Sequence, residues 1–321
     1  MEGKVALEEH FSTELNNSFW DAHGEESRNG KAYAQDIERR LLDPELCLRE
    51  MDRAGIEVCV LSLTSPGVQS VVDPKKAAEL ARSSNDYVAS VIKKHPDRFS
   101  AFAAVPLQDP KAAANELERA VRELGFKGAL VNGYSNIGPA ESVRYLDEEP
   151  VREFWERVNK LKVPDYLHPR EPLSSQTRSI QGYPELVGSA WAFTYETASH
   201  AIRLMLSGLF DVYPRLQVVL GHLGEGLPYI LPRLQHRLDE QFEGVKGARA
   251  RKRVSCYFAN HFWLTASGHF HTKPFLEAVE QVGEDRVLFS VDYPYEQMSA
   301  AARWFDEAQF SNSLKIKSGT R

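Results

Sequence analysis

The chain has 321 residues, 42% hydrophobic and 26% charged, the mixture of an ordinary globular protein with enough length for a large core. Its net charge of −6 offers no basic surface to nucleic acid or to an anionic membrane. No apolar run reaches the roughly 18 residues a bilayer span needs, and the N-terminus lacks the basic and apolar regions of a signal peptide.

In chain order, short apolar runs alternate with longer helical patterns. A run at 5–11 is followed by a polar stretch at about 12–40 with isolated aromatics. A helix is expected at 43–55, stopped by Gly55, then a strand at 58–65. Helices at 73–95 and 109–125 each open on Asp-Pro, a capping residue followed by a proline suited to the first turn. Strands are expected at 99–107, 125–133, 163–169, 216–224, 262–270 and 287–294. Helices at 150–161, about 187–212, 226–242, 273–283 and 297–310 fill the intervals. Eight strand–helix units predict parallel strands and a closed TIM-type (β/α)8 barrel. LEEHFS, after the first strand, contains no glycine, which argues against the dinucleotide-binding turn of an open doubly wound sheet. The expected organisation is one barrel domain over 1–321, with the insertion at about 12–40 over its active-site face.

The strand ends carry the chemistry. The first ends in Glu8-Glu9-His10, the fifth in His168, the sixth in His222 followed by Glu225, and the eighth in Asp292. In a parallel barrel these ends share one rim, and Glu8 and His10, two apart, share one side of their strand. Glu8, His10, His168 and Asp292 then form a mixed N/O donor set suited to one divalent metal, Zn²⁺, Mn²⁺ or Mg²⁺. Open coordination positions would make it a catalytic site. Arg170 and Arg233 are candidates for holding an anionic substrate, since a guanidinium fits a carboxylate at two points. Cys47, Cys59 and Cys256 form no CxxC pair and read as reduced thiols of a cytoplasmic protein.

The strings LEEHF, YLHPR, GLFDVYPRLQVVLGHLGEGLPY, TASGHF and DRVLFSVDYPYE, in this order over nearly the whole chain, resemble the decarboxylase branch of the amidohydrolase superfamily. Within it the chain is most similar to the ortho-hydroxybenzoate decarboxylases acting on γ-resorcylate (2,6-dihydroxybenzoate), 2,3-dihydroxybenzoate or salicylate. The resemblance implies a single divalent metal, no organic cofactor, and reversible loss of CO2 from a small phenolic acid. His10, where some relatives carry Ala, tilts the expected substrate toward γ-resorcylate. The match implies metal ligation by Glu8, His10, His168 and Asp292, with His222 and Glu225 paired beside the substrate. Asp292 is the expected proton donor, with His222, oriented by Glu225, tuning either Asp292 or the substrate phenol. His10, Arg233, Tyr295, Phe19 and Trp20 are expected to contact the substrate. Arg233 is expected to reach a neighbouring subunit's site, which implies a homotetramer built as a dimer of dimers. The alternative is a hydrolase of an amide or lactone that uses the same ligands to activate water. Two features depart from the pattern. Asp165 takes an apolar position in the fifth strand, and the KIKSGTR tail replaces a longer closing helix, so weakened closure is expected there.

Overall fold

The computed structural model describes residues 3–19, 23–241 and 249–320. Its strands are β1 (Lys4–Phe11), β2 (Ile56–Leu63), β3 (Phe99–Ala101), β4 (Ala129–Asn132), β5 (Ser135–Asn136), β6 (Val143–Arg144), β7 (Asp165–His168), β8 (Val218–Leu220), β9 (Phe262–Thr265) and β10 (Val287–Leu288). β5 and β6 form an antiparallel hairpin on their own; the other eight are parallel. They run in two sets, β1-β2-β3 and β10-β9-β8-β7-β4. Bridges between Ala103 and Ala129 and between Glu9 and Tyr293 join the sets at both edges. The barrel is therefore closed, and each of the eight expected strands contributes a stave.

Leu7, Val60, Phe102, Leu130, Tyr166, Val219 and Trp263, from seven staves, pack together in the lumen. A far larger apolar cluster lies between staves and helices. The helices cover the staves because their apolar stripes demand it. In Pro110–Glu123, Asp109 accepts from the amides of Lys111 and Ala112, Pro110 occupies the first turn, and Ala113, Leu117 and Ala120 point inward. Loss of such a cap costs about 1 kcal/mol. The eight expected helices are present, the one at about 187–212 as two pieces, Ala192–Leu206 and Leu209–Val212. A helix at Val254–His261 was not legible in the sequence, because VSCYFANH runs directly into the apolar strand it precedes.

The polar stretch after β1 is built rather than merely solvated. It holds the helices Glu14–Asn17, His23–Asn29 and Lys31–Leu42, and the last buries Ala34, Ile37 and Leu41. Arg28 pairs with Glu171 at 2.9 Å, three residues beyond the end of β7. Arg40 donates to the carbonyl of Pro294 at 2.6 Å, stacks on Tyr293 and pairs with Glu50. The segment is thereby tied to the rim beside both His168 and Asp292.

The tail corrects an expectation. Asn312–Gly319 forms a helix capped by Ser311, buries Leu314, and the carbonyl of Ser318 accepts from the amide of Phe289 at 2.7 Å. The short tail therefore braces β10.

Asp165 opens β7 fully buried, and neither carboxylate oxygen has a hydrogen-bond partner. Burial pushes its carboxyl up from 3.8 to about 8. A pKa raised by folding means the native state binds the proton more tightly, so this position is least harmful at low pH. Stability is lost as pH rises from about 4 through about 8, by an amount on the order of a few kcal/mol. Asp165→Val should raise the melting temperature by several degrees at pH 8 and by much less at pH 4.5. Asp165→Asn, which keeps an unsatisfied polar group, should fall between the two at pH 8. Thermal melts at the two pH values check the ranking.

Candidate metal centre

The rim of the barrel is built from β1 outward. Ala6 pairs with Cys59 but Glu9 pairs with Leu61, so β1 carries one residue more than β2 across this interval. This bulge breaks strict alternation. Leu7 stays in the lumen layer while Glu8 and His10 both turn to the mouth. β7 contributes His168 at its last position, and the chain beyond β10 contributes Asp292 in a left-handed conformation (φ 81°) that Asp tolerates better than most residues.

One ligand atom from each of Glu8, His10, His168 and Asp292 lies within 4.8 Å of the others. His10 Nε2 is 3.2 Å from Asp292 Oδ1, and His168 Nε2 is 3.4 Å from Glu8 Oε1. Two donors sharing an ion at about 2.1 Å each stand roughly 3–4 Å apart, so these separations suit a common ion. Glu8 Oε1 and His10 Nε2 are buried with no hydrogen-bond partner. Orphaned buried polar atoms facing one point are costly without a cation between them. The residues thus fit one divalent metal.

Glu8 is held by its other oxygen. Oε2 accepts from the hydroxyls of Tyr166, Ser267 and Thr265, the last at 3.1 Å, leaving Oε1 toward the histidines. Burial is the largest influence on Glu8 and raises its carboxyl. Burial, with His10 beside it, holds His168 well below the usual imidazole range, in the neutral form that ligates metals. Burial opposes ionisation of Asp292, yet His10 and His222 beside it outweigh that and hold the carboxyl well below its ordinary range.

His222 follows β8 in a turn where His222, Leu223 and Glu225 all take positive φ. Such strain concentrates at functional sites. His222 Nδ1 donates to Glu225 Oε1 at 2.7 Å, and Nε2 lies 3.5 Å from Asp292 Oδ2. Burial disfavours its charge, but Glu225, Glu8 and Asp292 together push the imidazole well above 6.5. Buried Glu225, His222 and Asp292 thus lie in one chain of contacts. Gly268 makes room for it: a Cβ there would lie 3.2 Å from His222 Cδ2 and 3.7 Å from Asp292 Oδ2, on a backbone at φ 60°. Gly268→Ala should lower turnover about tenfold to a hundredfold with metal content unchanged, a pairing that steady-state rates and elemental analysis can check.

Other expected site residues fall out unevenly. Tyr295 is present: its ring meets His10 edge-on at 6.0 Å, and its hydroxyl bonds Thr64 at 2.7 Å. Phe19 is 38% exposed in the turn after Glu14–Asn17. Trp20 lies outside the described residues. Arg233 stands exposed on the helix Leu227–Gln241, one turn from exposed Tyr229. Arg170 is buried as a staple instead, donating to the carbonyls of Tyr134 and Gln69 and stacking on the Tyr134 ring. Sequence reasoning missed Tyr166, Thr265 and Ser267. Alternation held the signal, since Tyr166 precedes His168 by two, and Thr265 and Ser267 are two apart at the end of β9.

A closed parallel barrel with carboxylate and imidazole ligands at its C-terminal rim defines a metal-dependent enzyme of the amidohydrolase type. The chain belongs to the amidohydrolase family, whose model matches residues 17–317. It is 46% identical to a gamma-resorcylate decarboxylase of Rhizobium radiobacter over 320 residues, 99% of this chain and 96% of that protein. A gamma-resorcylate decarboxylase of Rhodococcus jostii is 44% identical over 325 residues, again 99% and 96%. A crystal structure of a 2,6-dihydroxybenzoate decarboxylase complexed with 2,6-dihydroxybenzoate superposes with a TM-score of 0.94 at 46% identity, covering 100% of this chain and 97% of that one. A dihydroxybenzoic acid decarboxylase of Polaromonas sp. JS666, with bound manganese and the inhibitor 2-nitroresorcinol, gives 0.93 at 45% identity, covering 100% and 95%.

Proposed function

We propose that this chain is a carboxy-lyase that removes CO2 from 2,6-dihydroxybenzoate without oxidation and runs in reverse as a carboxylase. The observation that carries the reading is the Glu8, His10, His168 and Asp292 cluster with the His222–Glu225 pair beside it. Relatives so close over the full chain, all named as decarboxylases, favour it over an amide or lactone hydrolase.

Those four side chains would hold one divalent metal, which supplies positive charge to fix the substrate's carboxylate and ortho oxygen and to stabilise negative charge there. The chain's own groups manage the proton. Loss of CO2 from an arene requires a proton on C1 before the C–C bond breaks. His222, oriented by Glu225, passes a proton to Asp292 Oδ2, and Asp292 delivers it to C1. Because Asp292 is a strong acid in this setting, its protonated form is short-lived and drives the transfer. The C–C electron pair then returns to the ring, CO2 leaves, and His222 is reprotonated from solvent. The net change is an aryl carboxylate plus a proton giving an arene plus CO2. Tyr295 walls the ring beside His10, and the segment at about 12–40 caps this single barrel domain.

The exposed Tyr229, Ile230 and Arg233 on one helix support a homotetramer in which Arg233 enters a neighbouring site. Among the described residues no helix is long and apolar enough to cross a membrane. The free thiols of Cys47, Cys59 and Cys256 support a reducing, cytoplasmic place. The test is incubation of manganese-loaded protein with 2,6-dihydroxybenzoate, 2,3-dihydroxybenzoate and salicylate, following CO2 and product. Release of resorcinol from the first at the highest kcat/KM is expected. No release from any of the three, with hydrolysis of an aryl lactone, would transfer the site to the hydrolase reading.

A further inference from the structure

Glu9 sits between two metal ligands in sequence, is fully buried, and turns away from the metal cluster. Burying a carboxylate for packing alone is unfavourable, and its contacts give another reason. Oε1 accepts from the amide of Val291 at 2.9 Å and the hydroxyl of Ser290 at 3.1 Å; Oε2 accepts from the amide of Tyr293 at 3.0 Å. The amides on both sides of Asp292 thus end on one carboxylate. The amide of Asp292 itself donates to the carbonyl of Glu8 at 2.9 Å, and the amide of His10 donates to the carbonyl of Tyr293 at 2.7 Å. β10 pairs with β9 only at Val287 and Leu288, so beyond Leu288 the continuous ladder gives way to a single bridge between Glu9 and Tyr293. Ser290 closes the arrangement by accepting from the amide of Glu8 at 2.6 Å.

We propose that Glu9 is a positioning residue: its carboxylate reinforces that single bridge, fixes residues 290–293 in the left-handed turn at Asp292, and so aims the Asp292 carboxylate at both metal and substrate. The inference rests on the reading of Asp292 as a ligand and proton donor. An amide in place of the carboxylate accepts at only one atom, so one of the two flanking N–H groups must lose its partner. Losses of this kind around a metal ligand typically weaken metal affinity or activity tenfold to a hundredfold.

The test is a double-mutant cycle in Mn²⁺ affinity, measured by calorimetry on the full chain as wild type, Glu9→Gln, Asp292→Asn and the double variant. Glu9→Gln should weaken Mn²⁺ binding about tenfold or more and lower kcat on 2,6-dihydroxybenzoate by a similar factor, with KM changed less. In the Asp292→Asn background it should alter Mn²⁺ affinity less than about twofold, because there is no longer a carboxylate to aim. Equal losses in both backgrounds, or wild-type affinity and kcat in Glu9→Gln, would overturn the proposal. If Glu9→Gln fails to fold, Glu9→Asp, whose carboxylate stops one methylene short, is read through the same cycle against the same outcomes. Full turnover by Asp292→Asn would remove the proton-donor role while the affinity cycle still judges Glu9.

Discussion

Asp292→Asn should lower turnover of 2,6-dihydroxybenzoate by a factor of about one hundred to ten thousand, the range for losing a general acid. It should do so while still taking up close to one Mn²⁺ per chain at saturating metal. The two readouts separate because the proposed function gives the residue two duties. As a ligand its carboxylate is lost, yet Glu8, His10 and His168 remain to hold the ion at saturating metal. As an acid it has no function, since an amide cannot carry the proton that His222 offers across 3.5 Å. Burial alone would keep an aspartate neutral, yet His10 and His222 hold this one ionised, so the proton has to be borrowed for each cycle. His222→Asn should therefore resemble Asp292→Asn in rate. Near-normal rates in Asp292→Asn, measured by CO2 release, would remove Asp292 as donor.

Gly221→Ala should abolish metal binding at micromolar Mn²⁺ and, with it, activity. A Cβ at this position would lie 2.6 Å from Glu8 Oε2 and 2.8 Å from Oε1. Contacts that short do not persist, so the carboxylate has to move. Glu8 has little room, because Tyr166, Thr265 and Ser267 all grip Oε2. Displacement breaks those hydrogen bonds and withdraws a ligand together, and affinity should fall about a hundredfold or more. Gly221 has an ordinary φ of −71°, so alanine brings no backbone strain, and the effect isolates the collision with Glu8. Calorimetry with Mn²⁺, beside a melt showing an intact fold, checks this. Wild-type affinity would mean that Glu8 is not held where the geometry puts it.

The barrel was legible because its signals are local and repeated: apolar runs of strand length, Asp-Pro caps, and glycine stops. The ligands were legible because polar residues at strand ends stand out against apolar runs. What stayed hidden depends on contacts between distant segments. Glu8 was legible from its spacing to His10, but what Glu9 does was not, since its partners Ser290, Val291 and Tyr293 lie 281 to 284 residues away. Ser267 and Thr265 look ordinary in TASGHF until Glu8 lies against them. The stretch at 12–40 reads as polar, yet three apolar residues at helical spacing, Ala34, Ile37 and Leu41, were enough to dock its last helix. The KIKSGTR tail offers little apolar periodicity and is held by the Ser318 carbonyl's bond with Phe289, by Lys317 against Glu284 and Asp285, and by buried Ser318 and Gly319.

The most direct measurement is anomalous X-ray scattering from crystals of the chain grown with Mn²⁺. A single peak per chain, about 2.1–2.3 Å from a carboxylate oxygen of Glu8 and of Asp292 and from a ring nitrogen of His10 and of His168, is the result required here. Manganese bound elsewhere, or bound without Glu8 or His168 among its neighbours while CO2 release continues, would contradict it.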